Sequence, residues 1–139
     1  MAKVERCELC EHPGGEPLWR DAVCRVVLVE EPGYPGFCRV IWNAHVRDMT
    51  DLAAEDRNRL MHVVFAVERT LREVINPYKI NLASFGNLTP HLHWHVVARF
   101  LHDPHFPQSV WGIAQREAPA AEARSVAADI ASALVARLG

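Results

Sequence analysis

His91, His93 and His95 stand at every second position of the run His91-Leu92-His93-Trp94-His95-Val96-Val97. A period of two places all three side chains on one face only in a β-strand, since a helix would scatter them around its axis. The β-branched and aromatic content that continues to Phe100 favours the same geometry, so residues 91–100 are predicted as a strand. Neighbouring histidines are then roughly 6.5 Å apart along the chain, twice the rise per residue. His93 is the central ring, flanked on both sides.

Imidazole titrates near neutrality, so an unprotonated histidine is available as a nucleophile without further activation. Attack on phosphorus gives a phosphoramidate, and its later hydrolysis divides one difficult displacement into two easier ones. A second histidine beside it can steady the transition-state charge or serve the departing group. Alternating histidines also occur as metal-ligand pairs, and a single histidine is often a hydrogen-bonded core residue.

The rest of the chain supplies the frame for such a strand. Residues 22–29 and 37–42 are rich in β-branched residues and are separated by the turn-forming Glu31-Pro32-Gly33-Tyr34-Pro35-Gly36, which predicts two antiparallel strands. Over residues 52–75, Leu60, Val63, Val64, Val67, Leu71 and Val74 fall at spacings of three and four, the stripe of an amphipathic helix that Pro77 closes. A short strand is predicted over 79–85, and an alanine-rich helix over about 120–138. This order predicts an α+β fold in which an antiparallel sheet of about five strands carries a long central helix and a C-terminal helix.

With 139 residues the chain has the length of one domain, 1–139, with an N-terminal knuckle over 1–17 and a tail and helix over 101–139. A net charge of −2 provides no basic field for long nucleic acid, yet a small phosphorylated ligand needs only a few local groups. No apolar stretch approaches the length of a membrane span. The charged start, Met1 to Arg6, lacks a signal region, so a cytoplasmic location is expected. Cys24 and Cys38, inside strand-like segments, are expected to be buried and reduced.

Taken with the segment Val40-Ile41-Trp42-Asn43-Ala44-His45-Val46, the histidine run resembles the signature of the histidine-triad (HIT) family. The order of long helix, strand and triad strand is similar too, and Trp111-Gly112 resembles a tryptophan segment that some members fold towards the site. Trp42 stands where the better-known members have proline. The resemblance implies transfer of a nucleoside monophosphate to His93, release by water, and assistance to the attacking or departing group from His95. Asn87 would contact phosphate or leaving group, and Glu30 the ribose hydroxyls. Both also suit ordinary turn or solvated positions. A homodimer sharing one continuous sheet is expected from the same resemblance. The alternatives are a nucleotide- or metal-binding protein without turnover, and a relative in which phosphate or a sugar phosphate accepts the nucleotide.

Cys7-Glu8-Leu9-Cys10 has the gap with which a tight turn presents two thiolates to one tetrahedral ion, but a lone pair of this kind is half a zinc site. A redox pair would require a βαβ context that is missing. Some HIT proteins, and the related galactose-1-phosphate uridylyltransferases, complete such a site with histidines at the positions of His45 and His91. The resemblance therefore implies a structural zinc held by Cys7, Cys10, His45 and His91, with His12 as the competitor for the place of His45.

Overall fold

The computed structural model describes residues 5–119 and 125–139. Its elements in chain order are the helical turn α1 (Glu8–Glu11), strands β1 (Glu16–Arg20), β2 (Cys24–Leu28) and β3 (Cys38–Trp42), helix α2 (Ala54–Ile75), strands β4 (Lys79–Ala83) and β5 (His93–Arg99), and helix α3 (Ala127–Leu138). The strands form one antiparallel sheet in the order β1-β2-β3-β5-β4. The α+β architecture expected from the sequence is the one observed.

Alternation gives the sheet two unlike faces. Val26, Val40, Trp42, Val96 and Ala98 belong to the main core, together with Leu60, Val63, Val64, Val67 and Leu71 of α2 and Ile130 and Leu134 of α3. The α2 positions belong to the predicted stripe, whose last member, Val74, is partly buried against the same core. Each fully buried aliphatic side chain of this kind contributes about 1.5–3 kcal/mol. Cys24 and Cys38 lie in the same layer without exposure, and burial pushes both thiols up to about 12. The opposite face presents Val27, Ile41, His93 and His95, so the functional candidates are separated from α2 and α3 by the thickness of the sheet, while α1 packs Leu9 on their own side.

Boundaries follow local chemistry. Helix α2 ends at Asn76, which adopts a left-handed conformation at φ 55° and returns its N–H to the Arg72 carbonyl at 3.2 Å. Pro77 then prevents continuation. The predicted helix over 120–138 is described from Ala127 onward, and residues 120–124 lie outside the described residues.

Two features depart from the sequence reading. Strand β1 occupies Glu16–Arg20, where the sequence offers only Pro17, Leu18 and Trp19 between charged residues and so carries no alternation. A register shift between Pro17 and Trp19 explains the pattern: with one residue bulged, consecutive Leu18 and Trp19 are both buried. Proline is tolerated because β1 is an edge strand. The histidine strand also starts later than predicted, at His93 rather than His91. The Leu92 N–H turns to the Val46 carbonyl, and His91 sits in the approach to the strand.

Candidate active site and metal cluster

The site grows from the face of β5 opposite the helices. His93 pairs with Ile41 and His95 with Arg39 across β3, and on the other side His95 pairs with Ala83 of β4. Both histidines are therefore on an inner strand, His95 held by ladders on two sides and His93 by the ladder to β3. Their rings meet edge-on with centroids 4.9 Å apart.

The two nitrogens of His93 have different environments. Nδ1 lies 2.6 Å from the His91 carbonyl, a bond that requires the proton on Nδ1 and leaves Nε2 as the unprotonated nitrogen. Burial lowers the basicity of the ring, the backbone bond opposes this, and the positive charge of Arg39 lowers it further. The Ser84 hydroxyl donates to the His93 carbonyl at 2.7 Å, fixing the backbone beneath the ring. His95 is depressed more strongly, to about 4, by burial first and then by the charges of His93 and Arg39. Its Nδ1 is enclosed without a hydrogen-bond partner among the described residues.

Aromatic rings surround His95. Trp111 approaches to a centroid distance of 4.8 Å and Phe37 to 5.9 Å, while Phe85 meets Trp111 at 5.1 Å. The tail thus brings its tryptophan to the triad, as the sequence resemblance suggested. Trp111 keeps 49% and Phe85 63% of its surface exposed, so both rings offer free faces beside the histidines.

The tail is fixed by a buried polar bracket. Asp103 receives Arg99 Nε at 2.8 Å and Nη2 at 3.0 Å, along with the backbone N–H groups of Phe100, His105 and Phe106. The Tyr34 hydroxyl contacts Asp103 and also lies 2.6 Å from Nδ1 of His105. Burial opposes ionisation of Asp103, but these donors hold its carboxyl at about 2. His105 is accordingly part of the scaffold.

On the other flank of His93 the chain gathers four metal-type donors. Cys7, Cys10, His45 and His91 each offer one donor atom, all within 4.8 Å of one another. His91 Nδ1 is 3.3 Å from Cys7 Sγ and 3.5 Å from Cys10 Sγ, and His45 Nδ1 is 3.5 Å from Cys10 Sγ. Donors bound to tetrahedral zinc stand about 3.3–3.8 Å apart, so the cluster has the required size. His91 Nε2 donates to the Trp42 carbonyl at 2.6 Å, which leaves Nδ1 with its lone pair towards the thiols. The two cysteines face the cluster because α1 is a single helical turn, stabilised by the Cys7 carbonyl accepting from Cys10 and Glu11. His12 is exposed and forms no part of the cluster, so the fourth donor is His45.

The remaining candidates are at the rim. Asn87 is exposed in the loop between β4 and β5, and Glu30 is exposed just beyond β2; neither has a hydrogen-bonded side chain among the described residues. Sequence reasoning missed Arg39, Ser84 and the aromatic wall of Phe37 and Phe85. Arg39 did have a signal: it is the one charge within the apolar run of β3.

Comparison with known proteins bears on this geometry. A profile for the HIT domain matches residues 17–102, which include β2 to β5, β1 from its second residue, and all three histidines. The chain belongs to the HIT-domain family. Among solved structures, a histidine triad protein from Marinobacter aquaeolei VT8 is 26% identical, with a TM-score of 0.79 over 97% of this chain and 98% of that one. A histidine triad protein from Bradyrhizobium japonicum is similar over the whole of both chains, at 26% identity and a TM-score of 0.77. One from Sinorhizobium meliloti 1021 is 29% identical, with a TM-score of 0.73 over 86% of this chain and 90% of that one. Comparison with the curated proteins finds no match. HIT-domain architecture therefore extends through the knuckle and the tail as well as the matched segment.

Proposed function

We propose that this HIT-domain protein is a nucleotidyl hydrolase or transferase that cleaves a nucleoside 5′-phosphoryl bond through a nucleotidyl intermediate on His93. The observation that supports it best is the bond from His93 Nδ1 to the His91 carbonyl, which leaves Nε2 with a lone pair at neutral pH. Nε2 forms a bond to the α-phosphorus as the bond from phosphorus to the leaving group breaks. A polyphosphate departs as an anion, whereas an amine must take up a proton. Water then attacks the same phosphorus, the N–P bond breaks, and the nucleoside monophosphate leaves with the lone pair of Nε2 restored.

His95 is neutral in the free protein, and a bound phosphate raises its affinity for a proton because an anion beside it favours the charged ring. It serves first the departing group and then the attacking water. Phe85 and Trp111 offer stacking faces for a base. Asn87 and Glu30 take the contacts to phosphate or leaving group and to ribose.

Incubation with a dinucleoside polyphosphate or an adenosine phosphoramidate is expected to release AMP, and His93→Ala is expected to abolish release. Wild-type rates in that variant would refute the mechanism.

In the same reading Cys7, Cys10, His45 and His91 hold a structural zinc ion. Two thiolates and two imidazoles fill a tetrahedron and leave no position for water, so the ion would brace the fold. Its chemistry is to fix His91, whose carbonyl in turn orients His93. Metal analysis of the purified protein is expected to give one zinc per chain, lost in Cys10→Ala; a metal-free protein, fully folded and active, would argue against it. A homodimer belongs to the same reading, and the exposed Tyr78 and Phe85 beside the edge strand β4 support that edge as the one on which a second copy would extend the sheet. Light scattering at twice the mass of one chain is the expected result.

A further inference from the structure

Arg39 is the second residue of β3, between the fully buried Cys38 and Val40. Its side chain is on the histidine face, since Arg39 pairs with Val27 of β2 and with His95 of β5. One contact determines its direction. Nη1 donates to the Gly14 carbonyl at 2.9 Å, and Gly14 sits over Ile41, close enough that a Cβ there would come within 2.9 Å of Ile41 Cδ1. Ile41 is the residue paired with His93. The guanidinium is thus drawn from the level of His95 towards that of His93, and its charge lowers the proton affinity of both rings.

This cation has no counter-ion among the described residues. Nε is enclosed and unpartnered, and Nη2, which is not enclosed, has no protein hydrogen bond either. Leaving a buried donor unpaired costs about 1–3 kcal/mol, more when the group is charged. Val27 and Ile41 are its apolar neighbours on this face, and the other charges there are cations, Arg25, bonded to backbone carbonyls, and Arg99, already paired with Asp103. An anion is the missing partner.

We infer that Arg39 binds the phosphoryl group transferred to His93, touching the non-bridging oxygens as a catalytic residue. The inference rests on the nucleotidyl-transfer reading and adds to it the group that recognises the phosphate. A guanidinium is suited to this role because its fixed fork can meet two oxygens of one phosphate. Charge on the equatorial oxygens is stabilised by a donor already in place, which is where such catalysis draws its largest contribution. The tie to Gly14 prevents the side chain from swinging away.

The test compares AMP with adenosine, two probes that differ only in the phosphate. Calorimetry of the wild-type protein is expected to show tighter binding of AMP. In Arg39→Gln the AMP-to-adenosine affinity ratio should fall by about 10- to 100-fold, the range for a charge-assisted hydrogen bond, while adenosine binding is retained. Arg39→Lys, which keeps the charge but loses the fork, should recover part of the ratio and provides the comparison if the glutamine variant folds poorly. AMP release is measured on the same proteins. Turnover by the wild type with an unchanged ratio in both variants would overturn the role of Arg39 and leave the nucleotidyl reading intact. A ratio that collapses in Arg39→Gln, with no turnover in the wild type, would refute the reaction and keep the phosphate contact. A wild type that does not discriminate AMP from adenosine would overturn the phosphate contact directly.

Discussion

Arg39 and Arg99 stand on the same face of the same sheet and have opposite surroundings. Every donor group of Arg99 is engaged: Nε and Nη2 by Asp103, Nη1 by Asn81, and Nη2 also by the Gln108 carbonyl. Arg39 has one protein bond, to Gly14. Arg99 is 3% exposed, and a charge so far from water persists only when it is paired and hydrogen-bonded. The fold meets that requirement at the tail end of β5. At the histidine end the half-buried Arg39 has no counter-ion among the described residues, and its enclosed Nε and the Nδ1 of His95 have no partner. Satisfied polar groups hold the tail in place, and in the proposed reading the open groups of Arg39 and His95 are the contacts for a phosphate.

The sharpest way to break this contrast is to remove one partner of the satisfied pair. Asp103→Ala leaves Arg99 as an uncompensated buried charge and strips four further donors, including Tyr34, of their acceptor. Denaturant unfolding should show a loss of about 3–5 kcal/mol, the usual consequence of orphaning one member of a buried pair. Trp111 should lose its place against His95, visible as a change in tryptophan fluorescence. A loss below about 1 kcal/mol would mean that the bracket does not carry the tail.

The second effect comes from the unsatisfied end. His95 has a pKa of about 4 in the folded protein against 6.5 for a free histidine. Between these values the unfolded chain binds a proton that the folded chain refuses, so stability rises with pH across that window and falls as acid is added. At pH 5 the loss relative to pH 8 is about 2 kcal/mol for this group. His95→Gln should flatten the slope between about pH 4 and 6.5. An unchanged slope would place the ionisation elsewhere.

These two ends were not equally legible in the sequence. The histidine spacing, the CxxC pair and the stripe of α2 are local periodicities, and each predicted a feature that the structure contains. The metal cluster was legible in its residues, though only the fold brings Cys7 and Cys10 to His45 and His91. The bracket was not, because Asp103 meets Tyr34 across 69 residues and sits in an irregular segment without a period. Strand β1 was missed for a related reason: its bulge destroys the alternation by which a strand is recognised. Arg39 was visible as a charge within an apolar strand, but only the register beside His95 gives that charge a meaning.

The smallest effect separates the two arginines most cleanly. Arg39→Gln removes one hydrogen bond, to Gly14, and also removes an enclosed donor that has no partner. A typical hydrogen bond contributes about 0.5–1.5 kcal/mol net, and relief of the unpaired donor offsets part of that. The midpoint of denaturation should therefore move by less than about 1 kcal/mol, several-fold below the effect at Asp103. If the substitution instead costs as much as Asp103→Ala, Arg39 is a structural residue whose main work is holding Gly14 and the knuckle against the sheet. A small stability cost joined to a large loss of phosphate preference is the combination expected of a group held ready for an anion.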